Sequence, residues 1–183
     1  MRQNYAHDNV GPGLWTDINN DYVDYENNHT ARNLGGGIIQ EISYHATIRN
    51  NLIEDDGFSS NGNTFWYGAG ILLSNSSDVE VYGNTVTNCM NGIGGIQAVR
   101  GNGPDGLPYV LQNLYVHDNI VTQQVNSAAG IVKAATLDDS VYTSWGNRFQ
   151  NTTYYLSDPN QPYFVWFSQY WTLDQWDTYW SVQ

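Results

Sequence analysis

The sequence predicts an all-β fold, a right-handed parallel β-helix of about five to six coils with an aromatic C-terminal cap that contains a short helix. Two patterns predict this fold. An asparagine followed by a glycine and an apolar residue recurs along most of the chain, and apolar residues alternate with polar ones around each asparagine. Repetition at intervals of a few tens of residues is typical of a solenoid, and an apolar period of two indicates β-strands rather than helices.

The asparagine positions define the coils. The pairs are Asn4/Gly13, Asn28/Gly37, Asn51/Gly70, Asn84/Gly95 and Asn119/Gly130, with Asn147 closing the series. Their spacing predicts a coil of about 23 to 25 residues, with insertions near residues 55–68 and 101–110. We call these the first loop and the second loop. Asparagines at one position in successive coils are expected to stack as a ladder of bonded side-chain amides.

The pattern divides the chain into two parts. Residues 1–151 are expected to form the β-helix, with an incomplete N-terminal coil, and residues 152–183 to form a capping segment. In that segment, residues 163–167 are predicted to form a strand. Thr172 and Gln175 have the spacing of a capping box at the start of a helix. The aromatic rings of this segment are expected to cover the core of the last coil.

Composition limits the partners. The 183 residues contain 18 acidic and 6 basic side chains, for a net charge of −12. This charge argues against nucleic acid and anionic membranes as partners, and against an acidic polysaccharide unless a cation bridges. The lone cysteine, Cys89, excludes an intramolecular disulfide and is interpreted as structural. No stretch of 18 apolar residues indicates a transmembrane helix.

The N-terminal residues have no apolar region of the kind found in signal peptides. The repeat begins partway through a coil, and the open end of a β-helix is normally covered. We therefore expect a fragment of a longer protein, a processed form, or a chain that buries this end against a partner, such as a second copy. The two His-Asp-Asn triplets at residues 7–9 and 117–119 are out of register and are interpreted as structural or chance similarity.

Two carboxylates are predicted to lie side by side on one sheet. Alternation along the strand that follows Gly13 points Trp15 and Asp17 outward, and a shift of one coil sets Glu41 over Asp17 at roughly 4.8 Å. Like charges on neighbouring strands repel. A shared proton, a bound calcium ion, or hydrogen bonds from Asn19, Ser43, Tyr44 or His45 would compensate. The alternatives are a solvated pair, a catalytic pair spaced as in retaining glycosidases, and a metal or binding site.

The outward positions of this sheet form two predicted columns. The first contains Trp15, Ile39, Leu72, Gln97 and Val132, and the second contains Asp17, Glu41, Ser74, Val99 and Ala134. Both loops border the sheet, and loops on a rigid scaffold are common binding elements. Their rings provide flat surfaces for sugars: Phe65, Trp66, Tyr67 and Tyr109, beside Tyr44 and Trp15 on the coils. The alternative is that these rings pack against the side of the helix.

The units IIQEISYHATIRNNLI and ILLSNSSDVEVYGNTV resemble the repeat of right-handed β-helix proteins, the pectate lyase-like superfamily that also contains polygalacturonases, alginate epimerases and phage tailspikes. The resemblance covers residues 4 to about 151 and is specific for the fold. It implies activity on carbohydrates, outside the cell or at its surface, with an Arg, Lys or His base beside calcium or another neutralising charge. Arg100 and His45 are the residues available for that role, although a lone Arg or His on a β-helix is more often structural.

The sequence leaves two functions open. One is a carbohydrate-active protein that binds, and as a lyase or glycoside hydrolase cleaves, a polysaccharide or oligosaccharide between the first and second loops. Asp17 and Glu41 would then be the acid/base or nucleophile pair, or the ligands of a calcium ion. The other is a non-catalytic glycan-binding or structural segment of a larger protein. No lyase, epimerase or polygalacturonase motif is present, and a fold of this kind hosts several chemistries.

Overall fold

The computed structural model describes residues 1–59 and 66–183 and confirms the predicted β-helix. Parallel strands of successive coils build three sheets. The seven-stranded front sheet contains β2 (Leu14–Asp17), β5 (Ile38–Glu41), β8 (Ala69–Ser74), β11 (Asn91–Gln97), β14 (Ala129–Lys133), β17 (Phe164–Trp166) and β18 (Gln169–Trp171). The five-stranded sheet contains β3 (Val23–Glu26), β6 (Tyr44–Arg49), β9 (Ser77–Tyr82), β12 (Tyr115–His117) and β15 (Arg148–Gln150). The six-stranded sheet contains β1 (Tyr5–His7), β4 (His29–Ala31), β7 (Leu52–Glu54), β10 (Thr85–Thr87), β13 (Ile120–Gln123) and β16 (Thr153–Leu156).

The core is built from inward side chains that repeat from coil to coil. Ile38, Ile71 and Ile93 align on adjacent front strands, and all three are fully buried. Each such side chain stabilises the fold by about 1.5–3 kcal/mol relative to an exposed one. Because every strand alternates in and out, this core fixes which side chains reach the outer surface.

The predicted register holds for the first three front strands and is wrong for the next two. Ile71 pairs with Ile93, so Gly92 takes the position predicted for Gly95. In the next coil, Ala129 pairs with Ile93 and so takes the inward position predicted for Ile131. The two outward columns after Leu72 and Ser74 are therefore Gly94 and Gly130, and Ile96 and Val132, in place of the residues predicted.

Five of the six predicted ladder asparagines form the ladder. The side-chain nitrogen of each donates to the oxygen of the next at 2.8–2.9 Å, through Asn4, Asn28, Asn51, Asn84 and Asn119. Asn147 is not a member, because Arg148 pairs with Tyr115 and the position above Asn119 falls to Thr152. Asn147 instead accepts a hydrogen bond from the Leu114 amide at 2.9 Å.

A second, shorter ladder was missed by the sequence reasoning. Asn9 donates to Asn33 at 2.7 Å, and Asn33 donates to Asp56 at 2.9 Å. Thr30 also donates to the Asp56 carboxylate at 2.7 Å. Asn9 belongs to the first His-Asp-Asn triplet, so that triplet does hold a structural position, although not the one that Asn119 occupies.

Parallel pairing continues into the predicted capping segment. β16 and β17 pair in parallel with β13 and β14 of the preceding coil, and β18 pairs antiparallel with β17. The division at residues 151/152 stays a prediction. The short helix α1 (Ser140–Thr143) lies in a connection before β18, and α2 (Leu173–Trp180) follows it. The ring of Trp176 stacks on Phe164 at 4.8 Å, so α2 covers the core of the last coil as expected. In the ranges described, no helix has the length and apolar character needed to cross a membrane.

Candidate functional site

Asp17 and Glu41 are partners on adjacent front strands, as the sequence predicts. Asp17 ends β2 and Glu41 ends β5, so both side chains point outward from the same edge of the sheet. Glu41 is nevertheless buried, with 5% of its surface exposed. Something other than the two strands must therefore cover it.

Both loops reach Glu41. Arg100, in the connection that leads into the second loop, donates from Nη1 to Glu41 Oε1 at 2.6 Å. Tyr67, at the end of the first loop, donates from its hydroxyl to the same oxygen at 3.2 Å, and Arg100 lies 3.3 Å from that hydroxyl. Arg100 and Tyr67 thus supply the compensation that the carboxylate pair requires. None of Asn19, Ser43, Tyr44 and His45 donates to the Glu41 carboxylate in the described contacts.

Asn75 fixes the second loop so that Arg100 reaches the site. Its side-chain nitrogen donates to the carbonyls of Ala98 at 2.7 Å and Tyr109 at 2.9 Å, one at each end of the loop. Its oxygen accepts from the Ala98 amide at 3.0 Å. Asn75 is 1% exposed, so these bonds form away from water. Buried bonds of this kind hold a loop more firmly than exposed ones do, because breaking them leaves desolvated polar groups.

The two carboxyl groups have different surroundings. Burial, followed by the negative charge of Glu41, raises the pKa of Asp17, and the positive charge of Arg100 offsets part of the rise. In the described part of the chain, Asp17 Oδ1 is buried without a hydrogen-bond partner. Burial also lowers the pKa of Arg100, but its hydrogen bond and charge contact with Glu41 outweigh that effect and leave the pKa raised. The site therefore joins a charged Arg100–Glu41 pair to an acid that holds its proton more tightly than usual.

The aromatic side chains divide into exposed and packed groups. Trp15 is 51% exposed, next to Asp17 on β2, as a sugar platform requires. Trp66 is 2% exposed, and a methyl group built on Gly94 would lie 2.4 Å from its ring, so Trp66 fills the space above that glycine. Trp66 therefore packs against the sheet, which was the alternative interpretation. Phe65 lies outside the described residues.

The tyrosines of the site are mostly committed to contacts within the protein. Tyr109 is 8% exposed and donates from its hydroxyl to Asn19 Oδ1 at 2.7 Å. The Tyr44 ring lies 6.1 Å from the Tyr109 ring and is partly exposed. Together they line the edge of the second loop, beside the turn that follows β2. Of the predicted platforms, Trp15, Tyr44 and Tyr67 thus keep some accessible surface.

His45 belongs to a different contact. Its Nδ1 lies 2.7 Å from Asp21 Oδ1, and its ring stacks on Tyr22 at 4.7 Å. None of the described contacts joins His45 to Asp17 or Glu41. The structure therefore brings Arg100 to the carboxylate pair and leaves His45 outside it, one turn further along the chain.

The site fits calcium poorly. A calcium ion prefers six to eight oxygen ligands, and no cluster of three or more His, Cys, Asp or Glu side chains suited to a metal occurs among residues 1–59 and 66–183. In addition, Arg100 already contacts the Glu41 oxygen that such an ion would need. Calcium at Asp17 and Glu41 stays a prediction from the sequence.

The comparisons with known proteins agree with the fold. A family model described as "Right handed beta helix region" matches residues 1–121 of the chain. No curated protein and no solved structure matches it. The matched region contains the whole carboxylate site, from Trp15 to Arg100.

Proposed function

The chain belongs to the right-handed β-helix family, and from this premise we propose that it binds an uncharged polysaccharide on the first two coils of the front sheet, beside Asp17. The observation that supports this most is the contact of Arg100 and Tyr67 with Glu41, next to the exposed ring of Trp15. Proteins of this fold are often carbohydrate-active. Such a ligand also agrees with the extracellular or cell-surface location expected from the resemblance.

Charge favours a neutral ligand. Arg100 is the basic residue that contacts the site, and Glu41 already neutralises it. A uronate would therefore meet Asp17 without a free cation to pair with, in a chain of net charge −12. Hydroxyl groups, in contrast, need no cation, because they donate and accept hydrogen bonds without carrying a charge. The exposed face of Trp15 offers the apolar surface on which a sugar ring stacks.

The test is a screen of neutral and acidic polysaccharides for binding, with and without calcium. We expect binding of a neutral polymer that does not depend on calcium. Trp15→Ala is expected to weaken it about tenfold, the value of one stacking contact. Tyr22→Ala is the matched control, since Tyr22 is 78% exposed but stacks on His45 instead. Equal loss in both variants, or binding of acidic polymers alone, would contradict the proposal.

A second candidate, hydrolysis with retention, is supported by the contrast between the two carboxyl groups. A retaining glycosidase needs a protonated acid and an ionised nucleophile roughly 5 Å apart. Asp17 has the raised pKa of an acid, and Glu41 pairs with a cation, so Asp17 would protonate the leaving oxygen and Glu41 would attack the anomeric carbon. Glu41 is covered, however, so attack requires Arg100 and Tyr67 to move from its oxygen.

Product analysis separates binding from hydrolysis. New saturated reducing ends that disappear in both Asp17→Asn and Glu41→Gln would support hydrolysis, provided that both variants remain folded. Unsaturated ends would instead indicate a lyase and move the base to Arg100. Binding without products would leave the binding function alone.

A further inference from the structure

A second depression lies on the front face, at the end of the sheet next to the cap. It has a volume of about 520 Å³, within the range of small-molecule sites. Its lining includes the turn after β13, the turn before β17, and Tyr170 on β18. We call it the cap cleft. It does not include Asp17, Glu41 or Arg100, so it is separate from the site described above.

The described lining of the cap cleft contains no charged side chain. Charged residues make up 13% of the chain and are common on the other faces, so this surface is unusual for the molecule. Its polar groups are the amides of Asn91, Gln124, Asn126 and Gln161 and the hydroxyls of Ser127, Tyr163 and Tyr170. Such groups both donate and accept hydrogen bonds, as a ligand with hydroxyl groups requires, and none of them would attract an ion.

Aromatic rings border the cleft. Tyr170 is 68% exposed, and it pairs with Val165 across the β17–β18 hairpin, so its ring is presented outward from the last strand of the sheet. Trp66 closes the other end above Gly94. Val132 and Val165 add apolar surface to the lining.

The rim is held in place by bonds to neighbouring coils. Asn126 donates to the Met90 carbonyl at 3.0 Å. The Tyr163 and Ser157 hydroxyls lie 2.6 Å apart, and Ser157 donates to the Gln124 carbonyl at 3.3 Å. The side chains of Gln124 and Gln161 are exposed at this rim. A preformed rim loses little freedom when a ligand binds, which favours affinity.

We propose that the cap cleft is a second carbohydrate subsite, specific for uncharged sugar residues, in which Tyr170 supplies the stacking surface and the rim amides bind the hydroxyls. The ligand class rests on the proposed function. Six strand steps separate Trp15 on β2 from Tyr170 on β18, roughly 29 Å, so only a polymer lying along the helix axis can reach both sites. This lining offers no cation to a uronate, so the subsite adds to the preference for neutral sugars that Asp17 sets at the carboxylate site.

The experiment is a calorimetric titration of the full chain with β-1,4-linked glucose and mannose hexamers, and with a galacturonate hexamer of equal length. Tyr170→Ala is expected to weaken binding of a neutral hexamer about tenfold. Tyr170→Phe, which keeps the ring, is expected to bind like the unaltered chain. Tyr155→Ala is the matched control, because Tyr155 is 60% exposed on β16 of the six-stranded sheet.

Each outcome decides between the two sites. Equal affinity of Tyr170→Ala and the unaltered chain for a neutral hexamer would contradict the cap-cleft proposal. Equal affinity of the unaltered chain for the neutral and galacturonate hexamers would also contradict it. If Trp15→Ala alone loses binding, the cap cleft is wrong and the proposed function stands. If Tyr170→Ala alone loses it, the cap cleft stands and the carboxylate site is not a sugar site. No binding of any hexamer would overturn both.

Discussion

Arg100 Nη1 lies 2.6 Å from Glu41 Oε1, although 59 residues of sequence separate them. The contact joins the connection into the second loop to the second strand of the front sheet. It also sets a positive charge beside two carboxylates that would otherwise repel each other. The position of the second loop and the charge around Glu41 therefore both depend on this contact. A change that moves the loop is expected to alter the charge of the site, and a change of charge is expected to move the loop.

Arg100→Ala is expected to destabilise the protein by about 2 kcal/mol, because Glu41 would remain buried without its charged partner. Urea unfolding at pH 7 measures the effect. Arg2→Ala is the control, since Arg2 is 62% exposed and solvent screens its pairs with Asp24 and Glu26, so a much smaller loss of stability is expected.

Glu41→Gln in the Arg100→Ala background is expected to recover part of this stability. The double-mutant cycle then gives a coupling energy between the two side chains. Additive effects of the two substitutions would mean that the contact contributes nothing of its own.

Asp17 is expected to titrate above the ordinary range of an aspartate, since burial and Glu41 both raise its pKa. Carboxyl-carbon NMR measures it directly. Glu41→Gln is expected to lower the pKa of Asp17 by removing a negative charge, and Arg100→Ala to raise it by removing a positive one. Shifts of the same sign in both variants would show that a change of structure, rather than charge, controls the titration.

Asp56→Asn is expected to stabilise the protein at pH 7. Burial raises the pKa of Asp56, so the folded state favours its protonated form. That contribution is complete below the pKa of the unfolded chain and is lost as pH rises through the higher folded pKa. Asparagine keeps the oxygen that accepts from Asn33 and stays neutral at every pH.

Unfolding free energies of Asp56→Asn and the unaltered chain, measured from pH 3 to pH 8, are therefore expected to diverge as pH rises. Asp55→Asn is the control, because Asp55 is the exposed neighbour in the same turn. A constant difference between the two curves would contradict the assignment.

Asn51→Ala is expected to lower the free energy of unfolding by about 3 kcal/mol, because several buried groups lose their hydrogen-bond partners at once. Asn51 donates to Asn84 and to the Tyr25 carbonyl, and accepts from the Asn28 amide. Asn4→Ala at the exposed end of the ladder is expected to cost about 1 kcal/mol or less. Thermal and urea unfolding compare the two, and equal losses would argue against a ladder that depends on burial.

The sequence predicts most of the fold because its repeat is local. Five ladder asparagines and the pairing of Asp17 with Glu41 follow from spacing alone. The predicted strand register is wrong at residues 91–97. Gly92-Ile93 and Gly95-Ile96 both match the repeat there, and only the pairing of Ile71 with Ile93 decides between them. The ladder position predicted for Asn147 is wrong for a similar reason. Its spacing matches the repeat, but strand pairing aligns it with Leu114 and not with Asn119.

The site was less predictable because it depends on contacts between distant segments. The resemblance makes Arg100 a candidate base, and nothing in the neighbouring sequence indicates that its side chain reaches Glu41. Trp66 lies flat only because Gly94 leaves room for it, and that glycine is 28 residues away in sequence. The Asp56 ladder also lacks a sequence signal, since an aspartate there replaces the asparagine that the repeat would suggest.

The first ladder has a direction. Each side-chain N–H donates to the oxygen of the following coil, from Asn4 to Asn119, so the amide dipoles all point the same way along the axis. Each asparagine inside the ladder, such as Asn51, both accepts from the coil before it and donates to the coil after it. An aspartate of the same shape at such a position could accept but not donate, so it would leave the oxygen of the next asparagine without its side-chain donor.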